Sequence, residues 1–494
     1  MFSYICLFLS AILFLSKDNI LRLENRIYSL IMTAALFAYS ILGFISLILI
    51  YLNNSRYPII VLSVFIFLFT IYFDKNSLRK YLKIKKFLLF ECNNFINNFK
   101  ISNQKISIII IIILTILVTI SSIGPINHPD SLDYHVGYPY QYWLKGEFFI
   151  DGGLHQALMG IGDYANLSFI QEKTIWLIRT LQIINLPIIV FFLYSKLKNK
   201  TLILIFLTSP VFIQWATVGK PLFLVESACA VNFIIWQENK DSFSRKLLLV
   251  SLLASISVKI SAIIICLPII IELIRDLVTT NQKNTFQNDL KNLVFCKYIF
   301  LNLFILFSIL LSRQIIAGNF AFPLFTELFN KDNNLLINFA KDLSSYQRDG
   351  LFPVNIFFPI SLSDLSSSLG PAILIIIIIS IYINIKNKNF IRNPIFNIGV
   401  TQVILLILFC QGRGDYYVCP LIIFTYLSRE INKNLLKPVF IFFKNSLNLT
   451  IIVQSFLIFI FLFFSIFQSI HSIFDYENAM KNISYGYELS LPIN

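Results

Sequence analysis

Apolar runs long enough to cross a hydrocarbon layer recur from one end of this chain to the other, and they constrain its fold more than any other feature. Ile106–Ile123 and Ile451–Ile470 are the clearest, each close to the roughly 20 residues a helical crossing needs. Such runs must be helical, because a bilayer core offers no water to backbone N–H and C=O groups and each has to bond within its own segment. Hydrophobic residues fill 57% of the 494 positions and charged residues 13%, with no long polar block to fold separately. The expected fold is an all-α polytopic membrane protein of roughly 12–14 transmembrane helices. It divides into N-terminal helices with a basic loop (1–105), a central membrane module (106–430), and a C-terminal helix with a short tail (431–494).

The net charge of +14 raises nucleic acid as a partner. Lys and Arg are instead scattered through short loops, which is how orientation signals are distributed. The cysteines Cys6, Cys92, Cys229, Cys266, Cys296, Cys410 and Cys419 lie mostly in apolar runs without CxxC spacing, the pattern of small core residues rather than metal ligands. Met1–Ser16 has neither a basic leader nor a small-residue cleavage site and is expected to be a retained helix.

Two independent signals fix the expected orientation. Asp74–Lys105 carries Lys75, Arg79, Lys80, Lys83, Lys85, Lys86, Lys100 and Lys105 against Asp74 and Glu91, which places it in the cytoplasm. After the next span, Gly124–Glu172 carries Asp130, Asp133, Glu147, Asp151, Asp163 and Glu172 against Lys145 alone, as an outer loop would. Alternation then puts Val218–Lys220 in an outer turn and Gly318–Leu365 in an outer segment with interfacial helices. The apolar stretch Leu247–Leu273, flanked by basic loops, reads as a hairpin of two short helices with Lys259 at its tip.

The unusual polar residues therefore converge on one membrane face: Asp130, Asp133, His135, His155, Asp163, Lys220, Lys259, Arg313, Arg413, Asp415 and Tyr416. Ionisable groups beside a bilayer are costly and mark functional sites. Carboxylates able to take a hydroxyl proton, set among cations able to neutralise a phosphate leaving group, suit glycosyl transfer from a phospholipid carrier.

The motifs also resemble a family. Asp130-x-x-x-Tyr134 after a membrane span, followed by Pro139 and Gly146, is similar to the first outer loop of the GT-C membrane glycosyltransferases, the superfamily of protein O-mannosyltransferases and lipid A aminoarabinose transferases. Lys220-Pro221, Lys259-Ile260-Ser261-Ala262 with Pro268, Arg313 before Gly318-Asn319-Phe320-Ala321-Phe322-Pro323, and Arg413 with Tyr416, Tyr417 and Pro420 follow in the order of bacterial members. The resemblance covers residues 105 to about 430 and leaves the three leading helices unexplained.

It implies a GT-C-like bundle in a bacterial inner membrane, with a periplasmic first-loop active site and a polyprenyl-phosphate sugar donor. The acceptor would be a cell-envelope glycan, lipid or protein. Asp130 is the implied general base. Many members have Glu directly after this Asp, where this chain has Ser131, so Asp133 or Asp163 would supply the second carboxylate. Tyr134, His135, His155, Lys220, Lys259, Arg313, Arg413 and Tyr416 are the candidate substrate and phosphate contacts.

Each residue has a plainer reading beside this one. Asp130 suits an N-cap before Ser131, and Lys220 and Lys259 suit side chains snorkelling to headgroups. Tyr134, Tyr138 and Tyr142 form a stripe at helical spacing, kinked by Pro139, that fits an interfacial aromatic belt as well as a sugar platform. The pattern demands no cofactor; a divalent metal held by His128, Asp130, Asp133 and His135 is the alternative. An envelope polysaccharide polymerase or ligase using lipid-diphosphate glycans shares the same features. A transporter would call for repeated halves and polar groups at mid-bilayer, and neither is present in the sequence.

Overall fold

The fold is taken from a computed structural model that describes residues 1–16, 24–74, 76–101, 104–123, 131–150, 155–280, 297–329, 334–345, 352–359, 368–386, 393–410, 416–429 and 438–474. Among the described residues every regular element is helical. The first five helices are α1 (Phe2–Leu15), α2 (Glu24–Tyr51), α3 (Ile59–Phe73), α4 (Ser77–Ile101) and α5 (Lys105–Ser121). The acidic loop follows as a π-helical turn (Ser131–His135), α6 (Gly137–Lys145), α7 (Ile161–Tyr164) and α8 (Asn166–Gln171). Next come α9 (Ile178–Gln182), α10 (Leu186–Lys196), α11 (Ile203–Leu207), α12 (Pro210–Thr217), α13 (Leu222–Asn239), α14 (Ser242–Val258), α15 (Ile263–Thr280) and α16 (Lys297–Ala317). The remainder comprises α17 (Thr326–Phe329), α18 (Asn334–Ser345), α19 (Pro371–Lys386), α20 (Pro394–Cys410), α21 (Val418–Leu427) and α22 (Pro438–Phe474).

Among the described residues four helical stretches are long and apolar enough to cross a membrane: Arg26–Tyr51, Ile175–Lys196, Lys297–Ala317 and Ile441–Phe467. The bent pair α3 and α4 would make a fifth, and shorter apolar helices of 10–17 residues accompany them. This is fewer long spans than the sequence suggests, for local reasons. Leu202–Thr217 splits into α11 and α12 where Pro210 cannot continue the ladder of the preceding helix. Leu247–Leu273 breaks at Lys259, whose backbone is extended (φ −145°, ψ 107°) between α14 and a 3-10 turn leading into α15. That break is where the sequence places it.

The centre of the bundle is α2, packed against α1, α13 and α14. Lipid is as apolar as leucine, so helices in a membrane associate through close packing of small residues and through hydrogen bonds. Accordingly α2 buries Ser29, Thr33, Ala34, Ala35, Ala38 and Ser40. Asn232 of α13 accepts from the Ser29 hydroxyl and donates to Thr33 Oγ1 at 2.9 Å. At the periphery, α22 exposes Phe456, Phe463, Phe464 and Phe467, the surface expected of a helix that faces lipid.

Polar contacts collect at the two ends of α2, which rises roughly 42 Å over its 28 residues. Near Tyr51, whose hydroxyl meets Ser312 at 2.7 Å, Asn53 Oδ1 accepts from Phe148 N at 2.9 Å and Gln171 Nε2 donates to Ser55 O at 2.7 Å. Here too Glu172 accepts from the first backbone amides of α1, Phe2 at 2.6 Å and Ser3 at 3.0 Å, groups that have no partner within their own helix. At the other end Arg26 pairs with Asp241 at 3.1 Å, Lys196 and Arg429 with Glu238 at 2.6 and 3.0 Å, and Lys240 with Asp276 at 2.9 Å. The acidic loop and the basic loops thus occupy opposite ends of the bundle.

Candidate functional site

The acidic loop is folded into the protein rather than laid over it. Its deepest element is α7, which lies against both α2 and α14. Glycines allow this close approach: a Cβ on Gly43 would stand 1.9 Å from the Ile161 carbonyl oxygen, and one on Gly160 would stand 2.2 Å from that of Val258. Both distances are far inside contact, so the backbones meet only because these side chains are missing. The wedge drives Asp163 into the interior, where it is fully buried.

A carboxylate there must be paired and hydrogen-bonded to stay ionised. Asp163 Oδ1 meets His135 Nδ1 at 2.5 Å, and Oδ2 accepts from Gly160 N at 2.7 Å. His135, equally buried, ends the π-helical turn, and its carbonyl accepts from Asn166 Nδ2 at 2.7 Å. Burial lowers the His135 pKa to about 4, and the charges of Lys259 and Lys220 act in the same direction against the pull of Asp163. Burial alone would raise the Asp163 carboxyl, but His135, Lys259 and the Gly160 amide outweigh it and hold the group below its ordinary value. The pair is therefore a neutral imidazole donating Nδ1–H to a carboxylate. His135 Nε2 is left as a buried acceptor with no partner among the described residues.

Around this dyad the structure assembles residues scattered through the sequence. Tyr134 packs on His135 with ring centroids 4.1 Å apart and stacks on His155 at 5.7 Å. Lys259 Nζ, at the helix break, donates to Tyr134 Oη at 3.3 Å. His155 Nδ1 pairs with Asp133 Oδ2 at 2.5 Å, a second imidazole–carboxylate pair that is partly exposed. Lys220 Nζ lies 4.9 Å over the Trp215 ring. Tyr416 Oη donates to Ser261 Oγ in the turn that follows Lys259.

Arg313 is buried and donates from Nη1 and Nη2 to main-chain carbonyls, those of Phe322, Leu158 (2.8 Å) and Met159 (3.3 Å). Its charge nonetheless acts on Asp163, Tyr134 and Tyr416. This guanidinium therefore ties the α16–α17 connection to the strand of chain entering α7 and so sets the position of the dyad.

Asp130, Arg413, Asp415 and His128 lie outside the described residues. For the metal alternative, Asp133 and His135 face different imidazole and carboxylate partners. Among the described residues no three His, Cys, Asp or Glu side chains converge on one point. Nor do the tyrosines make one helical stripe. The helix starts afresh at Gly137, so Pro139 sits in its first turn, where a missing N–H costs nothing. Tyr138 and Tyr142 are buried, and Tyr142 Oη accepts from Gln156 Nε2 at 2.6 Å, which makes them core of the folded loop rather than a belt.

Sequence reasoning passed over Trp215, Asn166, Gln156 and the glycines Gly160 and Gly162 that lead into Asp163. Two glycines so close before a carboxylate are a legible sign of tight backbone approach. The others gave no signal beyond ordinary polarity or aromaticity.

Compared with family models, with curated proteins and with solved structures, the chain finds no match in any of the three.

Proposed function

We propose that this protein is a membrane glycosyltransferase of GT-C type, moving a sugar from a polyprenyl-phosphate carrier to a hydroxyl of a cell-envelope glycan, lipid or protein on the periplasmic face of a bacterial inner membrane. One observation carries the reading: a buried Asp163–His135 dyad whose second ring nitrogen has no partner among the described residues, within the field of the ammonium groups of Lys220 and Lys259. A glycosyl transfer needs both parts. As the acceptor oxygen bonds to the anomeric carbon its proton must leave, and as the glycosyl–phosphate bond breaks the departing phosphate gains charge.

In this reading His135 Nε2 takes that proton, with Asp163 fixing the tautomer and stabilising the imidazolium that forms. Lys220 and Lys259 offset the charge on the phosphate. The resemblance in sequence assigns the proton to Asp130 instead, and variants separate the two. Purified protein in vesicles is offered a polyprenyl-phosphate sugar and a polyprenyl-diphosphate sugar, each radiolabelled. The expected outcome is release of polyprenyl phosphate from the first donor alone, reduced at least 100-fold, the lower range of acid–base contributions, in His135→Gln or Asp130→Asn, whichever is the base. Consumption of the diphosphate donor alone would make the protein a polymerase or ligase; turnover of neither would reject the proposal.

A further inference from the structure

A second feature lies at the end of the bundle opposite the dyad. Helix α4 touches the ends of several helices in turn. Lys80 Nζ donates to the last carbonyl of the α1 segment, Ser16 O, at 3.1 Å; Tyr28 at the start of α2 donates to Glu91 at 2.8 Å; Phe95 packs on Phe191 and Tyr194 near the end of α10. Tyr81 also donates to Leu9 O, two turns up α1, at 2.8 Å, so α4 runs along the rim of the bundle at this end, and it is bent by 101° from the apolar α3 before it. It therefore lies against the side of the bundle near this end, with one face turned away from the protein, where a membrane surface would be.

The helix buries one side and exposes the other. Lys80, Ile84 and Phe87 face inward, while Leu78, Leu82, Leu89 and Ile96 are exposed along one stripe. Arg79, Lys85 and Lys86 are exposed on and beside that stripe, with no acidic partner among the described residues. Leucines interleaved with Lys and Arg on an in-plane helix match an interface whose upper layer is anionic and whose lower layer is acyl chain. A water-facing helix would have no use for the leucines, and a helix seated on protein would be covered.

We infer that α4 is an in-plane anchor that binds anionic phospholipid headgroups through Arg79, Lys85 and Lys86. This does not depend on the reaction proposed above. The test uses full-length protein in phosphatidylcholine vesicles containing a minor fraction of phosphatidylglycerol, with spin-labelled versions of each lipid reporting the protein-bound shell. Wild type is expected to enrich phosphatidylglycerol over phosphatidylcholine. The Arg79→Gln/Lys85→Gln/Lys86→Gln variant should lose most of that preference, at roughly fivefold for each charge close to the surface. Unchanged enrichment overturns the inference. As a check independent of folding in the variant, a fluorophore on the native exposed Cys92, with Cys296 and Cys410 replaced by Ser, should be quenched by lipid brominated near the headgroup. Quenching by aqueous iodide alone would equally overturn it.

Discussion

The His135–Asp163 pair ties stability to pH in a direction that can be checked. His135 titrates at about 4 when folded, against an ordinary 6.5, because burial disfavours its charged form. Between those values the unfolded chain holds the extra proton, so stability is complete above pH 6.5 and falls as pH drops toward 4, by about 1.4 kcal/mol per unit. Asp163, held below its usual range, adds its own loss only below about pH 4. Thermal unfolding in detergent should show the midpoint dropping from pH 7 to pH 5 in wild type, and a flatter profile in His135→Gln. An identical slope in both would mean the imidazole is not held neutral. Asp133, His135, His155 and Asp163 were each legible in the sequence as ionisable groups beside a membrane span. Their pairing was not, because His135 and Asp163 stand 28 residues apart and meet only through the α7 wedge.

That wedge also makes a claim about helices rather than single groups. The break at Lys259 was legible because a cation interrupts an apolar run flanked by basic loops, and two basic loops on the same side require the chain to turn back between them. The division of the tyrosine stripe was harder to foresee, since Pro139 suits either a kink or a first turn and only the fresh start at Gly137 decides between them. The insertion of α7 between α2 and α14 depends on contacts that no local pattern encodes. It is sensitive to a single methyl group. Gly160→Ala would place Cβ 2.2 Å from Val258 O, against backbone that cannot rotate away. A loss of about 1–3 kcal/mol is expected, as for other overpacked cores. The proposed sugar transfer should fall further than stability, since displacing α7 moves Asp163 off His135. Thermal unfolding and sugar transfer measured on the same preparation test both parts, and an unaltered melting profile would show that α7 is not wedged.

For the molecule as a whole, the alternating loops make one arrangement and the hydrogen bonds make another, and the two agree. The distribution of charge along the chain sets the acidic loop against the basic ones, and the fold holds Asn53, Phe148, Gln171 and Glu172 at one end of α2 and Asp241, Glu238 and Asp276 near the other. If the acidic end faces outward, as the distribution of Lys and Arg implies, a membrane-impermeant maleimide applied to intact cells should reach a cysteine at Asn54, an exposed position in the α2–α3 turn, and miss one at Lys198. Cys92 on α4 should stay unlabelled until the cells are opened, so the native chain carries its own control. The reverse labelling pattern would turn the whole bundle over. It would put the dyad on the cytoplasmic side, away from the face on which the transfer proposed above takes place, while the geometry of His135, Asp163 and the lysines stayed as it is.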